Sequence, residues 1–375
     1  MSRVLVAMSG GVDSAVAAAL LVEQGHDVTG VHLKLADVPE AEQVPGQGCC
    51  TLDDAQDARR TAQVLGIPFY VWDLGGVFER EVQGPFAESY AAGVTPNPCV
   101  TCNERVKYAA LLERAVASGF DALATGHHAR LRRGGAPVSG PGSGTRLLRA
   151  ADRPKDQSYV LYMATGEQLD RTLLPVGELP KQEVRERAAE LGLRVAGKAD
   201  SYDVCFVPGG DTAGYLAERL PAAPGPVVDL DGREVGRHDG VWRFTVGQRR
   251  GLRLDTPPGD GRPGRRFVVD VDAVRSTVVV GPRDALACHW AEIDAATWTT
   301  GRPPAGEVRI QVRAHGAPVP GRVVVGEGAR VRLELDEPVH GLAVGQAAVV
   351  YDAADEVCLG GGRVARAQRP VLPVT

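Results

Sequence analysis

The chain has 375 residues, 44% of them hydrophobic and 24% charged, an ordinary globular composition that excludes disorder over most of its length. No run of about 18 uncharged apolar residues occurs, which excludes a membrane-spanning helix. The net charge of −5, taken alone, argues against a nucleic-acid binder.

The apolar start is interrupted by Asp13 with no cleavage-site pattern after it, so no signal peptide and a cytoplasmic location are expected. Residues 4–8 form a short apolar run that predicts a buried strand, and 15–22 predict a helix with Leu20 and Leu21 facing inward. Residues 28–33 read as the next strand, 53–65 as an amphipathic helix ended by Gly66 and Pro68, and 69–72 as a third strand. Helices are predicted from about 77 to 91, over 103–118 and over 181–191, with a short strand at 122–124. Alternation of this kind means a parallel sheet with helices on both faces. Residues 130–149 read as a hairpin with a tip at 134–144.

After Pro208 the character changes. Pro221, Pro224, Gly225 and Pro226 crowd together, 227–246 read as turns and short strands, and alternating runs follow at 308–312, 330–335 and 347–351. That pattern predicts a small antiparallel barrel or sandwich. Three units are expected: 1–207, 208–282 and 283–375.

Charge is unevenly spread. Residues 130–149 hold five arginines and no acid, and 242–266 hold seven arginines against Asp255 and Asp260, so local basic surface can hold phosphates on an acidic protein. Lysines number five, namely Lys34, Lys107, Lys155, Lys181 and Lys198, and an Arg preference this heavy leaves each single Arg uninformative. The cysteines are Cys49, Cys50, Cys99, Cys102, Cys205, Cys288 and Cys358. An odd count without a secretory signal makes a disulfide framework a poor reading and raises metal, redox or catalytic roles for the clustered ones.

Three segments carry chemistry. Ser9-Gly10-Gly11-Val12-Asp13-Ser14 follows a strand and opens a helix. Its glycines let backbone amides approach an anion, and the helix N-terminus adds its dipole. Ser9 and Ser14 can donate hydroxyl bonds, and Asp13 stands where it could hold magnesium. The string is neither a Walker A loop nor a dinucleotide fingerprint, and it resembles the pyrophosphate loop of ATP pyrophosphatases. An ordinary glycine turn is the competing reading. In Thr95-Pro96-Asn97-Pro98-Cys99-Val100-Thr101-Cys102-Asn103, Asn103 reads as the N-cap of the next helix, which would put Cys102 where a thiolate is favoured. The C-x-x-C alone divides among redox, metal and chance, with Cys49, Cys50 and Cys205 able to complete a four-ligand zinc set. The third segment is Asp200-Ser201-Tyr202-Asp203-Val204-Cys205-Phe206, where a lone Cys reads first as a small buried hydrophobe.

Together these segments resemble one family, the tRNA-specific 2-thiouridylases. Supporting strings are Ala124-Thr125-Gly126-His127-His128, Lys155-Asp156-Gln157-Ser158-Tyr159, Pro175-Val176-Gly177-Glu178-Leu179, Thr245-Val246-Gly247-Gln248-Arg249-Arg250-Gly251-Leu252 and Cys358-Leu359-Gly360-Gly361-Gly362. The resemblance implies an α/β PP-loop domain with a parallel sheet, of the adenine nucleotide α-hydrolase type, then a small central α+β domain and a C-terminal antiparallel β-barrel. It implies ATP bound by Ala7, Met8, Ser9, Gly10, Gly11, Val12, Asp13, Ser14, Leu33 and Gly126, with Mg2+ at Asp13. The wobble uridine of tRNA for Lys, Glu or Gln would be adenylated on its 2-oxygen. A Cys205 persulfide, charged by a sulfur-relay donor protein, would then attack carbon 2, and Cys102 would close a disulfide with Cys205.

By the same resemblance Asn97, Pro98 and Cys99 hold the target base, and His127, Lys155, Asp156, Gln157, Arg313 and Gln346 contact tRNA. Some members of the family carry Asp where this chain has Cys99, which puts a general base there in doubt. It also supports a rival in which Cys99, Cys102 and Cys205 ligate an iron–sulfur cluster. Two further rivals are another PP-loop synthetase that adenylates a small metabolite and a non-catalytic RNA-binding or iron–sulfur carrier protein. Cys49, Cys288 and Cys358 receive no role, and Cys50 is a weak cluster candidate.

Overall fold

A computed structural model of the chain describes residues 1–35, 51–134, 144–200, 204–252, 254, 265–326 and 330–369. Strands β1 (Arg3–Ala7), β2 (Asp27–Lys34), β3 (Phe69–Asp73) and β4 (Ala122–Thr125) join the two-residue strand Thr172–Leu173 in a five-stranded sheet. The order is β3-β2-β1-β4-(172–173), and every neighbouring pair is parallel. Val4, Leu5 and Val6 are fully buried, as expected for a parallel strand covered on both faces.

Helix α1 (Val12–Glu23) is apolar nearly all round, because it lies between two layers. Ala18 and Leu21 pack with Val4 and Val6 of β1, while Val12, Val16 and Ala17 share a cluster with Val184 and Ala188 of the helix Lys181–Glu190. Helix α2 (Leu52–Leu65) starts at a reciprocal cap between Thr51 and Asp54 and ends at Gly66, in the left-handed region at φ 66°. The chain steps outward from β1 to β2 and β3, then crosses back to β4. Strand order therefore reverses between β1 and β4, where open α/β sheets form their ligand crevice.

The cysteine-bearing helix starts earlier than the sequence suggests. Pro98–Thr101, Cys102–Leu111 and Leu112–Ala117 run on without a break, the middle stretch being π-helical. The cap is Asn97, whose side chain accepts a 3.2 Å hydrogen bond from Val100 N, with Pro98 at the first helical position where its missing N–H does no harm. Asn103 lies buried inside the helix and donates to Val160 O at 2.8 Å. Cys102 thus stands a full turn from the helix start, and Cys99 occupies the first turn.

The hairpin of Ala129–Arg132 and Arg146–Arg149 forms as expected, residues 135–143 of its tip lying outside the described residues. The central region holds a four-stranded sheet of Gly225–Val228, Glu234–His238, Phe267–Asp272 and Thr277–Gly281, beside the helix Thr212–Ala217.

Six strands then make an antiparallel barrel: Ala287–Trp298, Glu307–Gln311, Val319–Val325, Val331–His340, Ala347–Tyr351 and Val357–Ala367. It closes where the first of these pairs with the last, from Ala291 on Ala367 to Trp298 on Gly360. Gly360 lies at φ 130°, and a Cβ there would come 2.1 Å from Thr297 O, so the glycine run is what lets the closing strand lie against its neighbour. Val357 and Cys358 also pair with Leu148 and Leu147, so the early hairpin extends the barrel's sheet. One continuous core accordingly joins Leu5, Phe78, Phe86 and Tyr108 of the first unit to Tyr351 and Cys358 of the barrel. Among the described residues, no helix is long and apolar enough to cross a membrane.

Candidate functional site

The Ser9–Ser14 loop sits at the carboxyl end of β1, at the strand-order reversal. Gly10 takes φ 78°, and a Cβ there would fall 2.3 Å from Asp54 O, so the loop can lie on α2 only with glycine. Gly11 caps α1 without any side-chain hydrogen bond, so no capping side chain occupies the first-turn amides. Ser9 N donates to Ser14 Oγ at 3.2 Å, and Ser14 Oγ donates to Gly11 O at 3.0 Å, which fixes the turn. From the other side of the crevice comes Gly126, where a Cβ would stand 2.5 Å from Ser14 N. Ala7 ends β1, Met8 and Val12 turn into the core, and Leu33 is buried on β2. The nucleotide-loop residues and Gly126 therefore converge.

A ring of charges surrounds the loop. Lys181 Nζ donates to both Asp13 oxygens at 2.7 and 2.8 Å and stands 2.9 Å from Asp200 Oδ1. Lys155 Nζ donates to Asp200 Oδ2 at 2.8 Å, as does Arg185 Nη2 to Oδ1. His128 closes the ring, its Nε2 donating to Asp13 Oδ1 at 3.0 Å and its N to Gln157 Oε1 at 2.8 Å. On the α2 side, Lys198 Nζ donates to Gly10 O, Asp54 and Asp57 at 3.0, 2.7 and 3.0 Å.

Burial alone would raise the Asp13 carboxyl, but hydrogen bonds from His128 and Lys181 hold it below the usual carboxylate range. The same balance, with Lys155 and Lys181 as donors, lowers Asp200 to about 2. Burial would lower the Lys198 ammonium, and bonds to Asp54 and Asp57 raise it instead.

Sequence reasoning gave Lys181, Lys198 and His128 no role. The signal was present all the same: in a chain that writes nearly every cation as Arg, four of five lysines (Lys107, Lys155, Lys181 and Lys198) stand around this site.

Cys102 and Cys205 both pack against one core cluster. Phe206 anchors the second of them by edge-on contacts with Phe78 and Phe86, at 5.5 and 5.2 Å between ring centres. Cys99 is exposed, and Asn97 and Pro98 lie beside it as cap and first helical residue. Ser201, Tyr202 and Asp203 fall outside the described residues, as do Cys49 and Cys50.

The tRNA candidates are more scattered. His127 accompanies Gly126 and bonds Thr125 Oγ1 through Nδ1 at 2.8 Å; burial, then the Lys107 charge, push its pKa well below the usual imidazole range. Lys155 and exposed Gln157 belong to the ring above. Asp156 turns inward, accepting from Arg149 Nη1, Ala150 N and Ser158 Oγ at 2.8, 2.9 and 2.8 Å. Arg313 is exposed on the barrel and donates to Gly341 O at 2.7 Å. Gln346 bonds main-chain oxygens of Thr95 and Pro96.

As a resident metal site Asp13 fits poorly, since both its oxygens already face Lys181. Among the described residues no three His, Cys, Asp or Glu side chains converge as metal ligands, Cys99, Cys102 and Cys205 included.

A parallel sheet with an uncapped, glycine-rich helix start at its switch point defines a nucleotide-binding enzyme of the PP-loop type. Family descriptions match in three stretches: the tRNA methyl transferase HUP domain over residues 2–209, the tRNA methyl transferase PRC-barrel domain over 213–282, and the aminomethyltransferase beta-barrel domain over 290–364. The tRNA-specific 2-thiouridylase MnmA of Salinispora arenicola is 53% identical over 97% of this chain and 99% of that protein. The protein of the same name from Acidothermus cellulolyticus is also 53% identical, over 99% of each chain. The chain belongs to the tRNA-specific 2-thiouridylase family. A solved 4-thiouridine synthetase–RNA complex with bound ATP is 17% identical, covers 58% of this chain and 50% of that one, and has a TM-score of 0.32, too distant to bear on function.

Proposed function

We propose that this chain thiolates carbon 2 of the wobble uridine in tRNA of the Lys, Glu and Gln type, with ATP as activator and Cys205 and Cys102 as the sulfur-handling pair. The chain is a tRNA sulfurtransferase by family, and its PP-loop supports ATP-dependent chemistry. The observation that carries the finer reading is that Cys102 and Cys205 pack against one core cluster, in a chain whose phosphate-loop helix starts without a capping side chain.

The uracil 2-oxygen is a poor leaving group until it is joined to AMP. Attack of that oxygen on the α-phosphorus of ATP breaks the α–β bridge and releases pyrophosphate, whose charge the amides of the Ser9–Ser14 loop would meet in this reading. The terminal sulfur of a Cys205 persulfide then bonds to carbon 2, and AMP leaves with the C–O electron pair. Cys102 thiolate attacks Cys205 Sγ; the S–S bond breaks toward the base, leaving a thiocarbonyl and a Cys102–Cys205 disulfide. An external dithiol reduces that disulfide, and a persulfide donor protein recharges Cys205. Magnesium, when it arrives with ATP, supplies charge neutralisation on the phosphates. An unpaired anticodon base is easily unstacked, and Asn97, Pro98 and Cys99 are the residues this reading gives to hold it.

The test is a thiolation assay on unmodified tRNA transcripts with ATP, magnesium and a persulfide source, using metal-free and anaerobically reconstituted protein. Thiolation by the metal-free protein, lost in Cys102→Ser and in Cys205→Ser, is expected. Thiolation only after iron–sulfur reconstitution would overturn the roles given to the cysteines. No thiolation in either state would overturn the substrate.

A further inference from the structure

Residues 93–97 lead into the helix that carries Cys99 and Cys102, and two other parts of the chain grip them. On the barrel side, Thr95 N donates to Val344 O at 2.9 Å, and Gln346 Nε2 donates to Thr95 O at 2.9 Å and Pro96 O at 3.4 Å. Both partners of that amide are carbonyls, so its NH2 end must face them. Between these contacts Gly345 takes φ 90°, and a Cβ there would stand 2.4 Å from Val94 Cγ1 and 2.9 Å from Thr95 O. No other residue lets the barrel loop come so close. On the central side, Thr95 Oγ1 donates to Thr245 Oγ1 at 3.3 Å, and Gly93, at φ 73°, lies where a Cβ would meet Val271 O at 3.1 Å.

The gripped segment is stiff. Pro96 and Pro98 fix their own φ, and each restricts the residue before it, Thr95 and Asn97. Asn97 then accepts from Val100 N and starts the helix. A shift at Thr95 has few soft torsions in which to be absorbed before it reaches Cys99 and Cys102.

We propose that Gln346 and Gly345 are positioning residues: the barrel loop sets where Asn97, Cys99 and Cys102 stand, with Gln346 acting through its bonds to Thr95 and Pro96. The proposal rests on Cys102 as a sulfur-handling thiol for its catalytic consequence, and on geometry alone for its structural one.

Gln346→Met keeps the side-chain volume and removes the donor, and Gln346→Glu turns an acceptor toward two carbonyls. Iodoacetamide labelling of Cys102 in tRNA-free enzyme, followed by peptide mass spectrometry, reads the position of the thiol directly. Labelling rates should change severalfold in both variants, with the larger change in Gln346→Glu. Thiolation kcat at saturating tRNA should fall roughly tenfold or more, as misplacement of reacting groups does. Thr245→Val, which loosens the opposite grip, should move Cys102 labelling in a smaller degree and serves should the Gln346 variants fail to fold. Unchanged Cys102 labelling together with weakened tRNA binding would overturn the proposal and leave Gln346 as a direct tRNA contact. Because labelling needs no thiolation, it stands or falls apart from the assay of function.

Discussion

Lys181 holds both oxygens of Asp13, with its Nζ 2.7 and 2.8 Å away. The one acid in the phosphate-binding turn is thus neutralised by a cation from a helix 168 residues further along the chain. Without that cation an incoming triphosphate would meet a like charge at the helix start; with it, the field is left to the α1 dipole.

Lys181→Met should therefore raise the KM for ATP roughly tenfold, equivalent to about 1.4 kcal/mol, with Lys181→Arg losing less. Pyrophosphate release against ATP concentration measures it. The Met variant also leaves Asp13 with His128 as its remaining partner, while Asp200 keeps Lys155 and Arg185, so unfolding stability should drop by about 1 kcal/mol. An unchanged KM would remove Lys181 from the nucleotide site.

Acid should release Asp200 only at the low end of the carboxylate range. Its pKa is lowered to about 2 against about 3.9 in an unfolded chain. A depressed carboxyl contributes stability that is complete above pH of about 4 and is lost as pH falls through about 2, in all about 1 kcal/mol once solvent screening of this partly exposed group is allowed for. Urea unfolding of wild type and Asp200→Asn across that range should show a constant gap above pH of about 4 that narrows below it. A gap independent of pH would mean the ion pairs of Asp200 add nothing.

Arg149 ties the early hairpin to the barrel. Buried, it donates to Asp156, Gln311 and Asp355 at 2.8, 2.9 and 2.6 Å and lies 3.6 Å over the Tyr351 ring. Removing one member leaves buried charge unpaired, so Arg149→Met should cost about 3 kcal/mol. Asp156→Asn should behave alike, losing stability rather than tRNA affinity. A variant of normal stability with weakened, salt-dependent tRNA binding would return Asp156 to the RNA surface.

The cysteines should separate by reactivity. Burial pushes the Cys358 thiol up to about 12 and raises that of Cys288, so both stay protonated near pH 8. Iodoacetamide on native protein should label exposed Cys99 and spare Cys288 and Cys358, which become reactive only on unfolding. Early labelling of Cys358 would mean the seam between hairpin and barrel opens in the native state.

Residues 4–8, 9–14 and 122–126 were legible because strand, glycine turn and helix start are local properties, written in neighbouring residues. Period and composition likewise set the parallel sheet first and the antiparallel barrel last. The helix start at Asn97 was misread as Asn103 because both are good caps; Pro98, fit for a first helical position, decides between them. Nothing local could reveal that Lys181 meets Asp13, that Gln346 reaches Thr95, or that residues 146–149 extend the barrel's sheet. Those contacts join residues more than a hundred positions apart, and packing of the shared core brings them together.

The sequence by itself determined the elements, the phosphate loop and the family, since these depend on short-range geometry and residue type. The tertiary structure alone decided which charges pair, which candidate contacts face inward and what holds the cysteine helix, because each is a through-space contact fixed by how the three units close on one another.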